Sequence, residues 1–282
     1  MMNQLFFSQL FLGKAAPSRR RQFGLFTSVI LLTTIIVTPS LAHKTFLWPS
    51  KFLWNTGDVV DVALTSALAF PDLQFGPTRD RISFTSVVLD NEAVGGLSYE
   101  ESDTFLNVTF TADRPGLAVI AMSSKPRFGE IKPEDASGYF DEIGAEASVR
   151  AAFEALPGSP PLNRSYSKHS KTFICIETCA AGHEARFAPV DQALEFVAVK
   201  SDETAFMLLR DGEPVPGYAV SVYAPDQEHR ELSTNADGVV TIDPSMTGAV
   251  MMMSIWITVP EQADGVYHSD YATLTIDVSQ KG

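Results

Sequence analysis

The sequence predicts a mostly β protein: two β-sandwich domains, immunoglobulin- or transthyretin-like, with one helical insertion. Three observations carry that prediction. Apolar and polar residues alternate in short runs, one segment breaks the alternation with helical spacing, and turn signals in the C-terminal part recur roughly every 8–12 residues. A hydrophobic share of 45%, with 19 Phe, supplies real cores and sets the chain apart from disordered acidic tails.

Residues 1–42 read as a signal peptide. Arg19, Arg20 and Arg21 precede an apolar run over 23–37, and Ser40-Leu41-Ala42 places small side chains where signal peptidase reads them. Arg20-Arg21-Gln22-Phe23 approaches a twin-arginine export signal. The turn-forming Pro39 favours cleavage over the alternative, an uncleaved anchor at the short end of spanning length. Cleavage after Ala42 leaves His43 as the first mature residue, in a periplasmic or secreted protein.

An N-terminal domain is expected over 43–200. Strands are predicted at 45–54 and 58–66 around the turn Asn55-Thr56-Gly57-Asp58, then at 81–90, 104–112 and 116–123. A helical segment follows over 133–156: Pro133, Glu134 and Asp135 suit a helix start, Phe140, Ile143, Ala147 and Ala151 recur at helical spacing, and Pro157-Gly158 stops it. Strands resume at 166–176 and 193–199. A C-terminal sandwich is expected over 201–282, with strands at 206–210, 218–224, 230–234, 239–242, 250–259 and 273–278. Asp211-Gly212 and Asn235-Ala236-Asp237-Gly238 mark its turns. Met251-Met252-Met253 lacks the Met-x-Met spacing that would aim sulfurs at one ion, and reads as core.

Removing residues 1–42 takes Lys14 and three arginines from the 21 basic residues and none of the 34 acids, which leaves a formal net charge of −17 over 240 residues. Such a surface repels phosphate backbones and attracts cations, so nucleic acid is excluded as a partner. No Ser-His-Asp order, nucleotide-binding loop or His-Glu-x-x-His is present, and nothing calls for a small-molecule cofactor. Cys175 and Cys179 form a disulfide, as an oxidising compartment permits, or a Cys-x3-Cys-x3-His thiol metal site with His183, or stand as two free thiols.

A mature N-terminal His43 offers an α-amine and an imidazole on one residue, a chelating pair that suits copper, nickel or cobalt. His169 is the second candidate metal ligand. If strand 166–176 packs beside the N-terminal strand, it closes an amine–imidazole–imidazole site, a histidine brace; otherwise it faces solvent between lysines. His268, before the last strand, is the third candidate. His229 reads as a solvated hairpin tip.

Several linked motifs resemble those of a bacterial periplasmic nickel-uptake-like family, often labelled a periplasmic component of cobalt and nickel transport and largely catalogued as a domain of unknown function. The likeness rests on Ala42-His43 followed by Trp48-Pro49, on Phe70-Pro71 with Arg79 or Arg81, on Arg164-Ser165-Tyr166-Ser167-Lys168-His169-Ser170-Lys171, on Asp211-Gly212-Glu213-Pro214-Val215, and on Tyr271-Ala272-Thr273-Leu274-Thr275. The resemblance implies a two-domain β protein that handles a transition metal and serves a membrane metal transporter. Where some relatives carry His-Pro-Phe, this chain has Ala69-Phe70-Pro71, so one ligand of those relatives is missing. Arg164, Tyr166, Lys168 and Lys171 of the shared motif have an equally physical reading as structural residues, with Arg164 or Lys171 paired to Asp58 or Asp61.

The expectation is therefore a non-catalytic metal-binding protein of the periplasm. Two alternatives stand beside it: a copper-dependent oxidase or monooxygenase built on His43, and a structural or partner-binding envelope protein.

Overall fold

Alternating strands dominate the computed structural model, which describes residues 43–279 apart from 181, 226–228 and 263. The signal peptide expected over 1–42 lies outside those residues. In chain order the strands are β1 (Lys44–Pro49), β2 (Leu53–Trp54), β3 (Val59–Ala67), β4 (Ile82–Leu89), β5 (Glu92–Ala93), β6 (Ser98–Glu101), β7 (Leu106–Thr111), β8 (Gly116–Ser124) and β9 (Arg127–Ile131). Helices α1 (Pro133–Glu142) and α2 (Ala147–Glu154) come next, then β10 (Leu162–Ile176), β11 (Leu194–Val199), β12 (Asp202–Arg210), β13 (Glu213–Pro214), β14 (Ala219–Tyr223), β15 (Arg230–Ser233), β16 (Val239–Thr241), β17 (Ala249–Thr258) and β18 (Tyr267–Asp277).

Three sheets result. One runs β1-β3-β7-β6; the central one runs β15-β14-β17-β18-β10-β8-β4-β5, with β2 and β9 also on β10; the third joins β11, β12, β13 and β16. The first sheet closes over β4, β8 and β10 around Leu47, Val62, Leu64, Phe110, Ile120 and Ile174. The third sheet closes over β14, β17 and β18 around Phe196, Phe206, Leu208, Val222, Met252 and Leu274. These are two β-sandwiches sharing one sheet, and the fold is mostly β as predicted. Each fully buried Phe or Leu contributes about 2–3 kcal/mol by leaving water. Met251 and Met252 are fully buried core residues.

β10 is the hinge of the architecture. It pairs in parallel with β18 from Arg164↔Tyr267 to Thr172↔Thr275, which unites strands from both halves of the chain. Residues 200 and 201 form the turn between β11 and β12, where Val199 pairs with Asp202.

The helical segment is two helices. Pro133 sits in the first turn of α1, where its missing N–H costs nothing, and Glu134 and Asp135 complement the positive helix end. Gly144, at φ 61°, ends that first helix in a left-handed conformation that glycine adopts without a Cβ penalty. Phe140, Val149, Leu162 and Tyr267 form the apolar cluster under both helices.

Candidate functional site

A strand presents successive side chains to opposite faces, so the run Tyr166 to Lys171 divides between two environments. The face toward β1 carries Tyr166, Lys168 and Ser170. Thr45 of β1 offers its carbonyl to Ser170 Oγ at 3.1 Å and to Thr273 Oγ1 at 2.8 Å. Two residues earlier, the carbonyl of His43 accepts a hydrogen bond from Lys168 Nζ at 2.7 Å. The Lys168 ammonium also lies 5.8 Å from the Tyr166 ring centroid and 5.6 Å from that of Tyr271. Burial, reinforced by the charges of Arg127 and Arg164, lowers the Lys168 pKa to about 8.

The imidazole of His43 is exposed, and Phe75 meets it edge-on with ring centroids 5.0 Å apart. Phe75 is held there by backbone pairing with Ser66, and the same loop leaves Leu68 and Leu73 exposed. Arg164 lies over the Tyr139 and Tyr166 rings at 4.8 and 5.2 Å.

The opposite face carries Ser165, His169 and Lys171. His169 is 7% exposed, with Nδ1 2.9 Å from Ser123 Oγ and Nε2 2.9 Å from Asp270 Oδ1. A carboxylate only accepts, so Nε2 donates to Asp270, while Nδ1 and the Ser123 hydroxyl share a second hydrogen bond. Gln192 Nε2 in turn donates to Ser123 Oγ at 3.0 Å. His268 reaches the same Asp270 Oδ1 through Nε2 at 3.3 Å, and its Nδ1 takes Ser165 Oγ at 2.7 Å. Arg210 Nη1 completes the ring on Asp270 Oδ2 at 2.8 Å. Burial pushes the Asp270 carboxyl up, but the His169 hydrogen bond with the Arg210, His169 and His268 charges outweighs it and holds the group below its ordinary value.

His169 and His268 are thus brought together, on Asp270. His43 is not with them: it adjoins Lys168, and strand parity sends the neighbouring His169 through to the other face. The strands meet as the histidine brace required, but with that histidine turned away. Among the described residues, no group of three His, Cys, Asp or Glu side chains is placed to hold a metal ion. Contrary to the expectation of no Ser-His-Asp order, Ser165, His268 and Asp270 form a hydrogen-bonded series of the kind that activates a hydroxyl, with Ser165 only 4% exposed.

Lys171 pairs with Glu195 rather than with Asp58 or Asp61, and both are almost wholly buried. Lys171 Nζ also donates to the Phe196 carbonyl at 3.0 Å, while Glu195 accepts the backbone N–H groups of Val190 and Gln192. Asp58 instead caps its own turn at Asn55, and Asp61 accepts from Ser50. Cys175 and Cys179 are joined in a disulfide, and His183, 44% exposed at its side chain, turns to the Ala180 carbonyl. His229 is exposed at its hairpin, stacked on Tyr223.

Sequence reasoning missed Asp270, Arg210, Ser123 and Glu195. Asp270 lies in the polar stretch His268-Ser269-Asp270 just before the alternation of 271–276, and its burial shows only in the fold.

A family model described as a domain of unknown function, DUF4198, matches residues 40–258. Among curated proteins none matches this chain. Solved structures give distant likenesses. The D0-D1 domain of intimin is 10% identical over 81% of this chain and 96% of its own, with a TM-score of 0.19. The BSP domain of a biofilm-associated protein is 13% identical over 84% of this chain and 30% of its own, with a TM-score of 0.22. Scores this low carry no argument about function.

Proposed function

This chain belongs to the DUF4198 family, and from that premise we propose that it is an exported protein that binds a divalent nickel, cobalt or copper ion at His43 and passes it to a membrane transporter. The observation that carries the reading is the position of His43. It directly follows the Ser40-Leu41-Ala42 cleavage signal and directly precedes β1, so processing there would leave a free α-amine on an exposed histidine.

Three features support it. The Lys168 hydrogen bond fixes the His43 backbone, which removes entropy that a chelating residue would otherwise lose on binding. Phe75 meets the exposed imidazole edge-on and steadies its position. The net charge of −17 over residues 43–282 concentrates cations near the surface. The donor set fits a carrier better than a structural metal site: one amine and one imidazole leave most coordination positions to water or to a recipient, which favours release.

The test is metal binding without turnover. Protein starting at His43 should take up one Cu(II) or Ni(II) and, with ascorbate present, consume no oxygen beyond the free-metal control. Metal-dependent oxygen consumption would establish the oxidase reading instead. Absence of stoichiometric binding would leave a structural or partner-binding protein.

A further inference from the structure

A cavity of about 590 Å³ lies away from His43, where β8 and β10 meet the β11–β12 hairpin and the end of β18. Its apolar lining includes Leu117, Phe173, Phe206 and Ile276, together with the Cys175–Cys179 disulfide. That volume falls within the range of about 300–1,000 Å³ typical of small-molecule sites.

Its charges are arranged unequally. Arg186 is the cavity's cation, standing over the Phe187 ring at 5.0 Å. Its Nε is buried with no hydrogen-bond partner, and among the described residues no carboxylate lies in ion-pair reach of it. Nε itself is enclosed, while Arg186 as a whole is partly exposed, so an acceptor in the cavity would meet the guanidinium elsewhere than at Nε. Four acids, Asp202, Glu203, Asp243 and Asp277, also line the cavity. Three of them already accept hydrogen bonds from their own loops: Asp202 from Thr204, Asp243 from Ser245 and Arg230, Asp277 from Ser279. Those bonds engage their carboxylates within or beside their own loops rather than on Arg186.

We propose that this cavity binds a short zwitterionic peptide with apolar side chains, its C-terminal carboxylate on Arg186, its apolar body over Phe173 and Phe206, and its N-terminal ammonium toward the acidic residues. A simple fatty acid satisfies Arg186 and the apolar wall but brings nothing for the four carboxylates. A cationic amphiphile answers the carboxylates and leaves Arg186 unpaired. Only a ligand with both charges and an apolar body between them answers all three features.

The experiment is calorimetric titration of metal-free protein with the tripeptide Leu-Phe-Leu, its C-terminal amide, its N-acetyl form, and decanoate. Leu-Phe-Leu should bind one to one, the amide and the Arg186→Met variant should each weaken binding by about tenfold or more, and acetylation should weaken it severalfold. Decanoate should bind more weakly than the peptide. No binding of Leu-Phe-Leu at millimolar concentration, equal affinity for the amide, or tighter binding of decanoate would each overturn the proposal. Should Arg186→Met fail to fold, the amide and acetyl series on the unaltered protein decides the matter.

Discussion

Lys168 Nζ donates to the backbone carbonyl of His43 across 2.7 Å, tying the start of β1 to the middle of β10. The bond spans 125 residues of sequence and fixes where His43 sits. Its cost is electrostatic: burial, with Arg127 and Arg164 adding to it, holds the Lys168 pKa at about 8 against an ordinary 10.5.

A lysine whose pKa falls on folding penalises the native state at every pH below the folded value, and the penalty is relieved as pH rises from about 8 toward 10.5. Unaltered protein should therefore gain stability relative to Lys168→Met between about pH 8 and 10, by on the order of 1–2 kcal/mol. Urea unfolding of both proteins at several pH values reads this directly. A constant difference across that range would show that Lys168 carries no such penalty.

Asp270 gives a pH signature of the same sign at the acid end of the range. Its carboxyl is held below the ordinary 3.8, so its contribution is complete above that value and is lost as pH falls below it. Asp270→Asn should cost about 3 kcal/mol near neutrality, because Arg210 loses its buried anion, and should flatten the acid limb of the stability profile below about pH 4. An acid limb of unchanged steepness would contradict the network.

The Lys171–Glu195 pair is tested by a double-mutant cycle. Lys171→Met or Glu195→Gln alone should each cost about 3–5 kcal/mol, since each strands a buried partner. The double variant should lie within about 2 kcal/mol of the unaltered protein, because the amide oxygen introduced by Glu195→Gln still accepts from the Val190 and Gln192 backbone. Additive losses would mean that the two groups do not sense each other.

The disulfide closes a loop so short that its loss should cost only about 2 kcal/mol on chain-entropy grounds. Thermal unfolding of the Cys175→Ala/Cys179→Ala protein measures this. A loss several times larger would show that the bridge also shapes the cavity wall.

Much of the fold was legible because most strands bury one face and alternate accordingly: β3, β4, β7, β8, β14 and β17 lie close to their predicted spans. The exposed edge strands β6 and β9 carry little apolar alternation and left no such signal. β10 begins at Leu162 and β18 at Tyr267, ahead of their predicted starts, because Arg164, His268 and Asp270 look like loop residues in the sequence. They are strand residues whose polarity is satisfied across a buried sheet. Candidate residues were legible as residue types but not in their grouping. His169 and Lys168 are adjacent in sequence, yet strand parity gives one to Asp270 and the other to His43, and only three-dimensional pairing reveals Arg210 and Glu195 as partners.

The central claim is that His43 acts through its own α-amine as well as its imidazole. An α-amine and an imidazole bind metal only when deprotonated, so affinity should fall as pH drops from about 8 to 5. The direct measurement compares Cu(II) affinity, at about pH 7.5 and fixed salt, of protein beginning at His43 with protein carrying one additional residue before it. The added residue should weaken binding nearly as much as His43→Ala does, on the order of a hundredfold, or about 2.7 kcal/mol. Equal affinity for the two proteins would contradict the account, because the amine would then take no part.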